Sequence, residues 1–256
     1  MELNTIRYNS EAGAWGHASV EISSSVGVTI TNNQIYENTQ DGVSISGSNG
    51  ISVLNNIIEN NSGEGWKGID LQYSSNVTLS NNSVRESEYG LGIWASQNVT
   101  ILGSIVENTD DDGIHISDSD TIVVSNNEIR DTGGIYISST HNTSISDNQL
   151  QNNSIWIYDS TQNVIVGNTL INGGVSTYRS TDINISLNNL DEGSVGTSYS
   201  TNITVYSNTI RGGGINAYNG IVTGNYVNHS GIQPWDYYSH FGNCTVLQQH
   251  FRKRIH

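Results

Sequence analysis

The sequence has 256 residues and a formal net charge of −15, from 24 acidic and 9 basic side chains, which opposes binding to nucleic acid or to an anionic membrane. The same charge repels acidic polysaccharides unless a divalent cation bridges the two. Only 13% of the residues are charged and only one, Cys244, is cysteine, which excludes a charge-driven disordered chain, an internal disulfide and a cysteine metal cluster.

Residues 1–15 lack the basic-then-apolar pattern of a signal peptide, and no later run approaches the ~18 apolar residues of a membrane helix. We therefore expect no signal peptide in this chain and no membrane span. Residues 1–15 are predicted to form an N-terminal cap or a truncated coil. Residues 16–235 repeat regularly, and residues 236–256 are aperiodic, which predicts a C-terminal tail or cap.

The repeat is anchored by an Asn-x-apolar pattern. The anchors are Asn33, Asn56, Asn82, Asn127, Asn148, Asn168, Asn188, Asn208 and Asn225, and Ser104 fills the slot in the fourth repeat. An apolar residue opens a further strand 13 residues before each anchor except Asn225, as Val20 does before Asn33. These opening residues are Val20, Val43, Ile69, Leu91, Ile114, Ile135, Ile155, Val175 and Val195. Apolar residues alternate with polar ones throughout, which is the period of β-strands.

Strands of two to four residues cannot form a globular core, but they can stack on the same strands of the next repeat, about 4.8 Å away, as parallel sheets. We therefore predict an all-β solenoid, a single-stranded parallel β-helix of about ten coils with three short parallel sheets. The anchor asparagines are expected to form an internal hydrogen-bonded ladder, because a buried amide is tolerated only when it is paired.

The repeat reads roughly G-I-x-I-x-x-S-x-N-V-T-I-x-N-N-x-I. It resembles the right-handed parallel β-helix repeat of the pectate-lyase-like superfamily, with the closest likeness to NosD-type and carbohydrate-binding or sugar-hydrolase repeat proteins. The resemblance covers residues 16–235 and implies a right-handed helix. It also implies an extracellular or cell-surface location, with the periplasm as the alternative. The shared residues are those of the core and the ladder, so function depends on the site.

One corner of the repeat varies in length. Extra residues between an anchor and the next opening residue occur only in the first five coils, at 36–41, 59–67, 85–89, 107–112 and 130–132. Insertions of this kind usually map to the binding face of a solenoid.

Two outward columns of the opening strand lie beside these insertions. One contains Glu21, Ser44, Asp70, Gly92, His115, Tyr136, Trp156, Ser176, Gly196 and Asn216, and the other contains Ser23, Ser46, Gln72, Trp94, Ser117, Ser138, Tyr158, Tyr178, Ser198 and Tyr218. Flat rings with interspersed polar groups suit sugar binding, so Trp94, Trp156, Tyr158 and Tyr178 are candidate substrate-binding residues. The alternative is that aromatic residues merely favour strand surfaces.

Asp70, His115 and Tyr136 are candidate catalytic residues. Asp70 and His115 would lie two coils, or ~10 Å, apart, with Gly92 leaving space for a sugar ring. His115 or Tyr136 could serve as base and acid beside a uronate carboxylate. Arg85 or Arg130 could neutralise that carboxylate. The alternatives are an idle surface histidine and a surface ion ladder of Arg85, Arg130 and the intervening Glu107.

The densest acidic patch is the run from Asp110 to Asp112. The glycosidases that the repeat resembles carry acids on adjacent coils, and Asp70 with Asp112 is the nearest equivalent here. Carboxylates in one loop can also bind Ca²⁺, which makes Asp110 and Asp111 candidate metal ligands. The alternative is a solvated turn, and no other cofactor is indicated.

Three functions stay open. The first is an extracellular polysaccharide-active enzyme, either a lyase or a glycoside hydrolase. The second is a non-catalytic carbohydrate-binding or structural cell-surface solenoid, part of a larger surface protein. The third, a NosD-like periplasmic copper-related role, follows from the resemblance alone, because no Cys/Met/His cluster supports it. The expected partner is a polysaccharide or another glycan.

Overall fold

The computed structural model describes residues 5–7, 18–61, 65–228, 231–234, 244–247 and 250–252. Among these residues the strands form three sheets, every pairing is parallel, and no residue is helical. None of them therefore belongs to a helix of the length and hydropathy that a membrane crossing needs. The predicted all-β solenoid of about ten coils and three parallel sheets is confirmed.

Each sheet receives one strand per coil. The opening sheet contains Val20–Ser23, Val43–Ser46, Lys67–Gln72, Tyr89–Trp94, Ile114–Ser117, Ile135–Ser138, Ile155–Tyr158, Val175–Tyr178, Val195–Ser198, Ile215–Ala217 and Ile232–Pro234. The middle sheet contains Thr29–Thr31, Ser52–Leu54, Ser75–Ser80, Gln97–Leu102, Asp120–Ser125, His141–Ser146, Val164–Val166, Thr181–Ser186, Thr201–Tyr206, Gly220–Thr223 and Cys244–Leu247. The anchor sheet contains Thr5–Arg7, Gln34–Tyr36, Ile57–Glu59, Ser83–Arg85, Ile105–Glu107, Glu128–Arg130, Gln149–Gln151, Thr169–Ile171, Asn189–Asp191, Thr209–Arg211, Tyr226–Asn228 and His250–Arg252.

Strands also lie outside the predicted limits of the repeat region. Thr5–Arg7 begins the anchor sheet. Cys244–Leu247 and His250–Arg252 end the middle and anchor sheets. Both terminal segments therefore add strands to the solenoid, and the assignment of those segments as caps stays a prediction.

The core follows from the alternation of apolar and polar residues. Ile114 and Ile116 are fully buried, whereas His115 between them is partly exposed. The same pattern repeats in each coil, so the interior is a continuous stack of Ile, Leu and Val side chains. Burying one such side chain contributes roughly 1.5–3 kcal/mol, so the stack supplies the core that no single coil could form.

The anchor residues form the predicted ladder. Asn148 is typical: its Oδ1 accepts hydrogen bonds from the backbone N and the Nδ2 of Asn127, both at 2.9 Å. Its own Nδ2 donates to Val124 O at 2.9 Å and to Asn168 Oδ1 at 3.0 Å. Each buried amide is thus paired with the coils on both sides, which offsets the cost of removing it from water.

The residue before each anchor adopts a left-handed backbone conformation. This column contains Asn32, Asn55, Asn81, Gly103, Asn126, Asp147, Gly167, Leu187, Ser207 and Gly224, with φ between 54° and 70°. Asn, Asp and Gly tolerate that conformation better than other residues do. The demand for such residues at the corners explains much of the asparagine and glycine content of the chain.

The ladder predicts a graded loss of stability. Asn148→Ala should lower the free energy of unfolding by about 3 kcal/mol or more, because it leaves two donors of Asn127 and the carbonyl of Val124 unpaired. Asn148→Ser should cost clearly less, because Ser104 in the equivalent slot still accepts from Asn82 N at 3.1 Å. Urea unfolding of the three proteins measures this, and equal midpoints for wild type and the alanine variant would contradict it.

Candidate functional site

The opening sheet has the predicted register. Asp70, Gly92, His115, Tyr136 and Trp156 pair successively across neighbouring strands. Strand pairing therefore gathers these residues into one outward column. The insertions of the first five coils enter the same edge of the sheet, just before the strands that carry the column.

Asp70 is almost fully buried at the base of this column. Its Oδ1 lies 3.1 Å from Lys67 Nζ, and its Oδ2 accepts a hydrogen bond of 2.6 Å from Gln72 Nε2. A Cβ atom on Gly92 would lie 2.3 Å from Lys67 Cδ. The stem of Lys67 therefore occupies the position directly above Gly92, and the open space that Asp70, Gly92 and His115 line lies beside this stem. Sequence periodicity gave no signal for this, since Lys67 closes an irregular insertion.

His115 is held on several sides. Its Nδ1 lies 2.8 Å from Asp112 Oδ2, so an Nδ1–H can donate a hydrogen bond to the carboxylate, with Nε2 as the acceptor nitrogen of the neutral ring. The imidazole stacks on Tyr136, with ring centroids 4.9 Å apart, and meets the ring of Tyr89 edge-on at 6.2 Å. Burial raises the pKa of Tyr136 above its ordinary value, so its hydroxyl stays protonated at neutral pH and can donate a hydrogen bond.

A cleft of about 350 Å³ adjoins these residues, here called the Trp94 cleft. Lys67, Asp70, Tyr89, Gly92, Ile93, Trp94, His115, Ser117 and Asp118 line it. The Trp94 side chain is 48% exposed, and its Nε1 donates to Asp118 Oδ2 at 3.1 Å, which fixes the indole. Lys67 is paired with Asp70, so the charge of the lining suits a neutral ligand better than an anionic one.

The acidic run does not converge. Asp111 accepts a hydrogen bond from the Tyr89 hydroxyl, which is the largest contribution that raises the pKa of Tyr89 to about 12. Asp112 faces His115, and Asp110 is exposed. Within the described ranges no three His, Cys, Asp or Glu side chains are grouped to hold a metal ion. The proposed Ca²⁺ ligands Asp110 and Asp111 belong to no such group among the described residues, and their role as Ca²⁺ ligands stays a prediction.

Arg85 and Arg130 lie on the anchor sheet, away from the cleft lining. Arg85 Nε is 2.7 Å from Glu59 Oε2, and Arg130 Nε is 2.6 Å from Glu107 Oε2. Arg130 also contacts Glu128. The structure thus contains the ion ladder that was the alternative for these two arginines, and it does not bring them to His115.

Beyond His115 the aromatic side chains stack on one another. Ring centroids are 6.4 Å apart for Tyr136 and Tyr158 and 4.6 Å apart for Tyr158 and Tyr178. The row continues through Tyr199, and Arg179 lies 5.2 Å from the Tyr178 centroid. The faces of these tyrosine rings contact one another, so the rings present mainly their edges and hydroxyl groups to a ligand. Tyr199 and Arg179 went unpredicted because they occupy left-handed corner positions outside the alternating pattern.

Asp41 holds the start of one of the strands that line the cleft. Its Oδ1 accepts a 2.7 Å hydrogen bond from the backbone N of Lys67, which begins the strand that carries Asp70. Only 8% of Asp41 is exposed. Burial, assisted by the nearby Asp70 charge and opposed by the Lys67 hydrogen bond, raises its pKa to about 6.

Comparison with known proteins agrees with this architecture. The family model for the right-handed β-helix region matches residues 2–129 and 89–251. A search of curated protein sequences finds no match.

Two solved structures are similar in fold. The surface adhesin PfbA of Streptococcus pneumoniae aligns with a TM-score of 0.52 and 15% identity over 90% of this chain and 60% of the adhesin chain. The chain thus spans less than two thirds of that adhesin. Endo-xylogalacturonan hydrolase from Aspergillus tubingensis aligns with a TM-score of 0.60 and 11% identity over 97% of this chain and 85% of the hydrolase. At these identities the likeness establishes the fold alone.

The raised pKa of Asp41 predicts a pH-dependent stability. The folded chain binds a proton at Asp41 up to about pH 6, whereas the unfolded chain loses it near 3.8, so stability falls as pH rises through this window. Asp41→Asn keeps an acceptor for Lys67 N and should flatten the fall, adding at most about 3 kcal/mol at neutral pH. Urea unfolding at several pH values tests this, with the exposed Asp147→Asn as control. A variant as pH-dependent as the wild type would refute it.

Proposed function

The chain belongs to the right-handed β-helix family, and on this basis we propose that it binds a polysaccharide outside the cell through the Trp94 cleft. The observation that supports the proposal is an exposed, hydrogen-bonded indole beside a cleft of about 350 Å³ on the opening sheet. An indole face offers apolar contact to a sugar ring, and Ser117, Lys67 and Asp118 offer hydrogen bonds to its hydroxyls.

Charge favours a neutral polymer. The chain carries a net charge of −15, and Lys67 in the cleft is already paired with Asp70. A uronate polymer would meet repulsion that a neutral glycan escapes. The two structural neighbours, a surface adhesin and a hydrolase of xylogalacturonan, are in keeping with a glycan ligand and an extracellular or cell-surface location. Since the chain spans only part of the adhesin, we propose that it belongs to a larger surface protein.

Catalysis is a second candidate function, and one contact favours it. Asp112 orients His115 through Nδ1, so Nε2 can accept a proton at the wall of the cleft. In a lyase, His115 would remove the proton beside a uronate carboxyl. In a glycoside hydrolase two carboxyl groups would be required, and Asp70 and Asp112 are both engaged with cationic or imidazole partners. The contacts of these groups therefore support the lyase better than the hydrolase, but the charge of the chain opposes the uronate substrate that a lyase needs, so binding stays the first proposal. The copper-related role has no ligand group among the described residues.

Binding should depend on the exposed indole. Trp94→Ala should weaken retention by at least tenfold in affinity electrophoresis through xylan, galactomannan, mixed-linkage β-glucan, arabinan or polygalacturonate, because it removes the apolar wall of the cleft. Leu187→Ala is a matched control, since Leu187 is also an exposed apolar residue but lies at another corner. The proposal fails if none of these polymers retards the wild type, or if both variants behave alike.

Turnover, if present, should require His115. The assays are ultraviolet absorbance of unsaturated uronates for a lyase and new reducing ends for a hydrolase. His115→Ala should abolish either signal while the polymer is still retained in the gel, and Asp112→Asn should reduce it at least tenfold by releasing the imidazole. His141→Ala, which changes an exposed histidine of the middle sheet, is the control. Activity that survives His115→Ala would exclude it as the base.

A further inference from the structure

A second cleft, of about 330 Å³, opens on the same sheet beyond the Trp94 cleft. Its lining includes Trp156, Ser176, Gly196 and Asn216, with Glu192 at the adjoining corner. We propose that this Trp156 cleft is a second sugar-binding subsite, and that one glycan chain lying along the solenoid axis occupies both clefts. This inference rests on the proposed function and adds to it the number of subsites, the direction of the ligand and its charge class.

The cleft exists because the outward column changes size. Trp156 is followed in the next three coils by Ser176, Gly196 and Asn216. A Cβ atom on Gly196 would find no atom nearer than Ser176 Oγ at 3.7 Å, so the floor is open. Trp156 is 43% exposed, and no aromatic ring of the described residues stacks on it, in contrast to Tyr158 and Tyr178 in the neighbouring column. An indole face beside an open floor is therefore available to a sugar ring.

The corner beside this floor is built from backbone. A Cβ atom on Gly193 would lie 1.8 Å from the carbonyl oxygen of Gly173, so glycine is required where successive coils touch. The coils here lack the long insertions that flank the Trp94 cleft. Asn172 and Asn216 are exposed along the lining and can exchange hydrogen bonds with hydroxyl groups.

The charge of the lining selects the ligand class. Among the described residues that line the cleft, Glu192 is the only charged one, and none is a cation. A uronate or sulfated sugar would be repelled, whereas a neutral hexose or pentose would meet an indole, amides, hydroxyls and one acceptor carboxylate. The Trp156 cleft should therefore discriminate against anionic sugars more strongly than the Trp94 cleft, whose lining contains Lys67.

The spacing of the clefts allows one chain to reach both. Trp94 and Trp156 lie in adjacent columns three coils apart, or about 14 Å along the axis at ~4.8 Å per coil. Ser117 and Ser138 lie between them in the Trp94 column, whereas His115 and Tyr136 lie between them in the Trp156 column, so a chain that reaches both clefts would run over the two serines. When both subsites are filled by one polymer, the second contact is intramolecular and raises the affinity by about tenfold or more.

The indole N–H signals of tryptophan report each cleft separately. The experiment titrates ¹⁵N-labelled protein with xylo-, cello-, manno- and laminari-oligosaccharides from disaccharide to octasaccharide, and assigns the two signals with Trp94→Phe and Trp156→Phe. We expect both signals to shift with the same sugar series, and the affinity to rise steeply once the oligosaccharide is long enough to span both clefts. Galacturonate oligomers should leave the Trp156 signal unmoved.

A filled cleft provides the matched variant. Gly196→Phe should abolish the Trp156 shift and lower the affinity for the longest oligosaccharide by about tenfold or more, while the Trp94 shift with the disaccharide is unchanged. Gly196→Ala, which has room for its methyl group, should behave as wild type. A Trp94 signal that shifts while the wild-type Trp156 signal stays still would overturn the second subsite and leave the proposed function standing. Silence of both signals throughout the series would contradict the proposed function itself.

Discussion

Hydrogen bonding between successive coils is the constraint on which the rest of the structure depends. A strand of three or four residues has no stability alone, so each backbone N–H and C=O must find its partner in the coil before or after. The anchor column extends the same requirement to side chains, because an amide such as that of Asn148 bonds its neighbours in both directions. A substitution that shifts the register between two coils would therefore break the hydrogen bonds of the whole coil and not a single bond.

The strict stacking also determines what the surface can display. Equivalent positions repeat about every 4.8 Å, which is close to the distance at which aromatic rings stack. Large rings in consecutive coils can therefore cover each other, as Tyr158 and Tyr178 do with centroids 4.6 Å apart. A ring face stays accessible only where its column offers small or distant neighbours, as beside Trp156 and Gly196. Both clefts adjoin a position where a large side chain is followed by a small one in the same column, as Trp94 is by Ser117 and Trp156 is by Ser176.

The long insertions add what regular stacking cannot provide. Asp112 ends one insertion and orients His115, and Lys67 ends another and neutralises Asp70. In both contacts a residue at the end of an insertion binds a residue of the repeating strand. The Trp94 cleft consequently contains more titratable side chains than the Trp156 cleft, which has only short turns beside it. Under the proposed function, the Trp94 cleft would bind or transform a sugar unit, and the Trp156 cleft would add a second contact with the same polymer.

The sequence by itself determined the period, the sheets, the ladder and the outward columns, because β-strand alternation and in-register stacking leave one consistent assignment for residues such as His115 and Trp156. Only the tertiary structure decided which polar side chains are already paired with another side chain and which spaces are already filled. The stem of Lys67 fills the space over Gly92, and glutamates pair with Arg85 and Arg130. The physical reason is that long side chains from insertions and corners are not bound by the repeat, so their contacts depend on the folded surface around them.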